Sequence, residues 1–280
     1  MGKKETGNRE YKDGVFRLLF ADKAKTAELY NSIKGTSYTA NDVKIYTLEN
    51  PFFFGGFRND LAFTIGGKLI ILIEHQASIN PNMGLRFLLY IALIYEILIN
   101  KKAMYKSKRM SIANPEFYVI YNGKGDYPEK TVIKLSDLYE TKGVENNLEL
   151  MVTVYNVNKG KNKQMMEQSS TLSEYAAFVA KVREHEATGL ALTEALKKAI
   201  EDCIRDKILR EFLQKHGGDV VNMLYREWNL DDALEVRAEE RAEEIAENML
   251  DAGMTIEQIK KLTKLPLNKI KKLQKQKQNQ

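Results

Sequence analysis

Asn59-Asp60-Leu61-Ala62-Phe63-Thr64-Ile65-Gly66-Gly67-Lys68-Leu69-Ile70-Ile71-Leu72-Ile73-Glu74-His75-Gln76 sets two apolar runs around a Gly-Gly pair, with an acid at the outer end of each run. Short apolar runs bounded by glycine read as the two strands of a hairpin. Loop length then decides where the acids point. A two-residue loop at Gly66-Gly67 pairs Ile65 with Lys68 and sets Asp60 opposite Ile73. Glu74 then falls on the other face, because strand side chains alternate. A three-residue loop, Gly66 to Lys68, pairs Ile65 with Leu69 and sets Asp60 opposite Glu74. Glycine supplies the left-handed conformation such a loop needs. If the two carboxylates share a metal, the hairpin must have an odd-residue loop or a bulge.

Before the hairpin, apolar residues recur at helical spacing from Asp13 to Ile33, and Val43 to Leu48 reads as a strand. After it, a long helix fits Met83 to Ile99, followed by strands at Phe117 to Tyr121 and Met151 to Val157. Helix, strands, helix, strands predicts a mixed α/β core, residues 10–160. Beyond Lys163 the pattern turns helical over 165–252, with helices at Ser173 to His185, Leu192 to Lys215 and Val220 to Trp228. The stretch Asp231 to Asp251 is Ala/Glu-rich and acidic, and reads as a connecting or self-associating helix. A lysine-rich end follows. Thr255-Ile256-Glu257-Gln258 has the pattern of a capping box, and Pro266 opens a second short helix. Ile256, Ile259, Leu262, Leu265, Ile270 and Leu273 would line the inner faces of a helix-turn-helix-like element over 253–274. The tail 275–280 is expected to be disordered.

The chain has 280 residues, 44% hydrophobic and 29% charged, with a net charge of +5. That balance is ordinary for a globular protein and permits a nucleic-acid partner without requiring one. The single cysteine, Cys203, excludes an intrachain disulfide framework. The polar amino terminus lacks the apolar core of a secretory signal, and Leu85 to Ile99 is too short and too charged to span a bilayer. A cytoplasmic protein with no membrane partner is the expectation.

Two carboxylates on neighbouring strands make a hard-oxygen pair suited to Mg²⁺, which keeps several waters for a substrate phosphate. The His75 carbonyl would be a further ligand. Asp60 with Glu74-His75-Gln76 after a short hairpin resembles the D…ExQ variant of the PD-(D/E)xK nuclease superfamily. More closely, the chain resembles the bacterial Rpn family of recombination-promoting nucleases and transposases. Asp13-Gly14-Val15-Phe16-Arg17-Leu18-Leu19-Phe20 is similar to that family's opening helix, and Arg86 with Tyr90 to the R…Y pair of the helix after the motif. The segments Leu196 to Trp228 and Asn248-Met249-Leu250-Asp251-Ala252-Gly253-Met254 share the likeness.

The resemblance implies a restriction-endonuclease-like core and Mg²⁺-dependent cleavage of DNA, with Mn²⁺ as a substitute and a role in recombination. Asp60 and Glu74 would bind the metal, and Gln76 would stand where a lysine is usual. A glutamine amide carries no charge and cannot act as a base, so it can only orient water or phosphate by hydrogen bonding.

Other residues carry two readings each. Asp13 either supports the carboxylates or caps its helix, where Asp is favoured. Arg86 contacts either phosphate or a neighbouring carboxylate, and Tyr90 reads as a half-buried packing residue. Lys101, Lys102, Lys106, Lys108 and Arg109, with Tyr105 among them, form either a DNA-contacting cluster or a solvated loop. The histidines show no zinc-ligand spacing with Cys203. Double-strand cutting would favour a homodimer. Two other readings stay open: a catalytically silent DNA-binding or oligomerising protein on a nuclease-like core, and a protein-interaction module whose function lies in its helical region.

Overall fold

A computed structural model describes residues 7–46, 60–141, 143, 145–223 and, near the carboxy terminus, 243, 245–246, 248–250, 254–263, 266–267, 269–270 and 273–274. The chain divides into two compact units, Met1–Met223 and Leu224–Gln280. The larger is a mixed α/β structure around a six-stranded sheet of order β1-β2-β3-β4-β6-β5. The strands are β1 (Val43–Tyr46), β2 (Leu61–Ile65), β3 (Leu69–Gln76), β4 (Asn114–Tyr121), β5 (Lys130–Lys134) and β6 (Met151–Asn156). The neighbours β3, β4 and β6 run parallel, while β1–β2, β2–β3 and β5–β6 pair antiparallel.

The hairpin takes the three-residue loop. Ile65 pairs with Leu69 and Leu61 with Ile73, so the next position sets Asp60 against Glu74. Gly66 and Gly67 both adopt positive φ, 58° and 67°, which only glycine takes without strain. The side chains of β3 then divide by parity. Ile70 and Leu72 join the apolar cluster under α3 (Met83–Leu98), with Met83, Phe87, Tyr90 and Ile94. Glu74 and Gln76 share that face by the pleat. His75 points to the opposite face, against Phe16 and Tyr175.

That second face is covered by α1 (Gly7–Phe20), α2 (Lys23–Lys34) and α5 (Ser170–Ala187), through Val15, Phe16, Leu19, Leu29, Tyr175, Phe178 and Val182, all fully buried. The expected helix from Asp13 to Ile33 is two helices. Asp22 ends the first and caps the second, accepting hydrogen bonds from the Ala24 and Lys25 N–H groups. Asp13 lies in the middle of α1, so it is not an N-cap, and that reading is corrected. The helix begins six residues earlier, at Gly7.

The change of character after Lys163 is not a division between compact units. The helix α4 (Lys163–Gln168) and α5 belong with the sheet, and the division falls at Met223. The expected helix from Leu192 to Lys215 breaks after α6 (Leu192–Arg205). Lys207 and Leu209 take positive φ, buried Leu209 anchors the turn, and a further helix, α7, runs over 210–223. The strand β5, on the sheet's edge, has no counterpart among the sequence expectations.

In the smaller unit, α8 is Ile256–Thr263, and the Thr255–Gln258 capping box forms as the sequence suggests. Ala246, Ile259, Ile270 and Leu273 make a small buried core, but Leu262 is 59% exposed and not inward-facing. Most of Asp231 to Asp251, with Leu265 and the tail 275–280, lies outside the described residues.

Candidate active site

Asp60 stands one residue before β2 and its carboxylate turns in on the end of β3, where Oδ2 accepts the His75 N–H at 2.8 Å. Along a strand the N–H and C=O of one residue point to the same edge, so the His75 carbonyl also faces Asp60's side. Arg17 of α1 places Nε 4.0 Å from Asp60 Oδ1. Glu74 is buried on the α3 face. Its Oε2 accepts from Arg86 Nη2 at 3.2 Å, and the same nitrogen donates to Tyr90 Oη at 2.8 Å. Arg86 and Tyr90 are one helical turn apart, which stacks them on one face of α3. Glu74 Oε1 is buried and has no hydrogen-bond partner among the described residues.

Asp13 enters from the other face. Its Oδ1 accepts from His75 Nδ1 at 2.7 Å, while His75 Nε2 lies 2.9 Å from the Tyr175 hydroxyl. Asp13, Asp60 and Glu74 therefore gather at one end of the β2–β3 pair. Burial, then the negative charge of Asp13, pushes the Asp60 carboxyl up to about 6. Burial, then Asp60, drives Glu74 well above the usual carboxylate range, although Arg86 opposes it. Burial pushes the Tyr90 hydroxyl up to about 12, so it stays protonated near neutrality. Three carboxyl groups thus share the site with two arginines, Arg17 and Arg86.

The donor set is hard oxygen throughout, and Glu74 Oε1 is the orphaned buried atom that a cation would answer. Among the described residues, however, no group of three or more acidic, histidine or cysteine side chains is arranged to hold a metal ion. The fit is to a cation that takes two carboxylates and keeps its other positions for water and phosphate, as Mg²⁺ does.

Gln76 is placed differently from its expected role. Its Oε1 accepts the Asn80 N–H at 3.1 Å and its Nε2 points at Met83 Sδ at 2.8 Å, so the side chain pins the β3–α3 loop. The basic cluster is not brought to the carboxylates. Lys101, Lys102, Lys106, Lys108 and Arg109 lie between α3 and β4, and β4 begins beside Leu69 at the hairpin end of β3. Glu74 is five residues further along, about 16 Å at strand rise. Lys101 pairs with Glu96 at 2.7 Å, and Tyr105 is 91% exposed.

Sequence reasoning missed Arg17, Tyr175 and the side chain of His75. Arg17 has a local signal, since it falls one helical turn after Asp13. Tyr175 has none, being 100 residues from the histidine it meets.

No protein-family model, no curated protein and no solved structure matches the chain. No helix among the described residues is long and apolar enough to cross a membrane.

Proposed function

We propose that the protein is a divalent-cation-dependent DNA endonuclease of the PD-(D/E)xK type, related to the Rpn family, that hydrolyses phosphodiester bonds at the Asp60–Glu74 end of its sheet. The observation that carries this reading is the meeting of buried Glu74 and half-buried Asp60 at one end of the β2–β3 pair, crowded by Asp13, with Glu74 Oε1 lacking a hydrogen-bond partner among the described residues. Burying like charges together is costly unless something cationic joins them.

Asp60 and Glu74 would hold Mg²⁺ or Mn²⁺, with the His75 carbonyl on the same side. A cation bound there supplies a lowered water pKa and charge stabilisation at the phosphate. The chain's own groups do the positioning. Asp13 and Tyr175 clamp the His75 ring, which fixes the main chain whose N–H holds Asp60. Arg86 holds Glu74 and is itself held by Tyr90. Gln76 keeps the β3–α3 loop in place, and orientation of water or phosphate by its amide would require it to leave Asn80 and Met83.

The engagement of Gln76 favours the second reading, a catalytically silent DNA-binding core. Incubation with supercoiled plasmid separates the two. The nuclease nicks the circle in Mg²⁺ or Mn²⁺ and not in EDTA, and Asp60→Ala and Glu74→Ala both lose the cut. The silent core binds plasmid at low salt, does not cut it whichever metal is added, and binds equally well without the carboxylates.

A further inference from the structure

A second cluster of charged side chains, unused by the carboxylate site, lies where α1, α5 and the loop after β4 meet. Lys12 is 2% exposed, and among the described residues nothing accepts a hydrogen bond from its ammonium, which lies over the Tyr11 ring at 5.8 Å. The Tyr11 hydroxyl, the Arg183 Nε and the Asn122 Oδ1 are likewise buried without hydrogen-bond partners. Arg183 is fixed by its other nitrogens, Nη1 to Asn158 Oδ1 at 2.9 Å and Nη2 to the Asn122 carbonyl at 2.6 Å. Lys124 stands at the exposed side, 3.4 Å from Glu186, which with Asp13 brings carboxylate charge close to Lys12.

We infer that Tyr11, Lys12, Arg183 and the Asn122-Gly123-Lys124 loop form a binding site for an oxyanion of the phosphate class. Donors without partners outnumber the acceptors without them. An ammonium, a guanidinium N–H and a phenol face the Asn122 amide oxygen and the Glu186 Oε2, which is itself 3.4 Å from Lys124, so the missing partner is rich in acceptors. With Lys12 protonated, three cations face two carboxylates, Glu186 and Asp13, so the net formal charge is positive and favours an anion over a water. The Asn122 N–H donates to the Gln76 carbonyl at 2.9 Å, which puts the cluster beyond the carboxyl ends of β3 and β4, where open α/β sheets bind ligands. Gly123 lets the loop close in, because a Cβ there would meet the Ala77 carbonyl oxygen at 2.3 Å. With Tyr11 and Lys12 so deeply covered, the site admits a small anion or the phosphate at a strand end, and no continuous backbone. The inference does not depend on the nuclease reading.

The test uses the full chain in EDTA. Melting temperature is followed with inorganic phosphate against chloride at matched ionic strength, then with a 5′-phosphorylated dinucleotide against its 5′-hydroxyl twin. Phosphate raises the wild-type melting temperature saturably, and Lys12→Met abolishes the rise. A response to phosphate alone assigns the site to free anion, and a response to the phosphorylated dinucleotide over its twin assigns it to strand ends. Should Lys12→Met fail to fold, Lys124→Ala, at an exposed position, weakens apparent affinity about tenfold, the loss of one charge-assisted contact. No phosphate-specific rise in the wild type, or a rise undiminished in the folded variant, overturns the inference. Plasmid cutting with no phosphate response would overturn it and leave the nuclease reading standing.

Discussion

Glu74 has one carboxylate oxygen answered by Arg86, while the other has no hydrogen-bond partner among the described residues, and that asymmetry sets what single substitutions do. Arg86→Met leaves the buried charge alone. It is expected to cost about 2 kcal/mol in urea denaturation, below the roughly 3–5 kcal/mol of a wholly buried pair, because Arg86 keeps 25% of its side chain in water. Removing negative charge acts the other way. Asp60 titrates near 6 in the fold, against about 3.9 in an unfolded chain. Between those values the folded state holds a proton that the unfolded chain has released. Stability in EDTA therefore falls as pH rises from about 4 to about 6 and stays reduced above it. Melting curves across that range show the slope, and Asp60→Asn flattens it. Lys12 contributes with opposite sign at higher pH. Burial first, then Arg183, lowers its folded pKa to about 7 from 10.5, so the unfolded chain holds more protons in that window and stability climbs through it.

The element that places the site is the β2–β3 hairpin; the hairpin itself was legible in the sequence, but its register was not, because the residues alone allow a two-residue loop and only the assumption of a shared metal selects the odd loop or a bulge. The loop glycines give a graded test. Gly67→Ala meets no atom within 4 Å and suffers only its positive φ, about 1 kcal/mol. Gly66→Ala carries the same backbone strain and also brings a Cβ to 3.0 Å of the Tyr38 ring, so its thermal denaturation shows the larger loss. The long helix after the hairpin was legible from its unbroken apolar period. Other elements were not. The break at Ala21-Asp22 falls inside a continuous helical period, and only the Asp22 cap marks it. The strand β5 alternates half-buried and exposed residues on a sheet edge, which leaves little apolar signal. Asp13 looked like a cap because the residues before it are polar, whereas α1 extends through them.

At the scale of the molecule, the sheet needs α5. Residues 10–160 read as a core by themselves, yet Tyr175, Phe178, Val179 and Val182 close the face on which α1 and His75 lie. A fragment ending at residue 168 is expected to lose cooperative melting by circular dichroism, and one ending at 223 to keep it, since the compact unit closes there. Long-range pairing of this sort, His75 with Tyr175 above all, has no local trace in a sequence. The same view separates the exposed basic cluster from the carboxylates by most of the length of β3, so the cluster is not the wall of the site. The central claim is that Asp60 and Glu74 together take a divalent cation, and calorimetric titration of Mn²⁺ into the metal-free protein at pH 7.5 tests it most directly. One-site binding that is lost in both Asp60→Asn and Glu74→Gln, with both variants folded, is the predicted result. No binding to the wild type, or binding unchanged in both folded variants, would contradict the account.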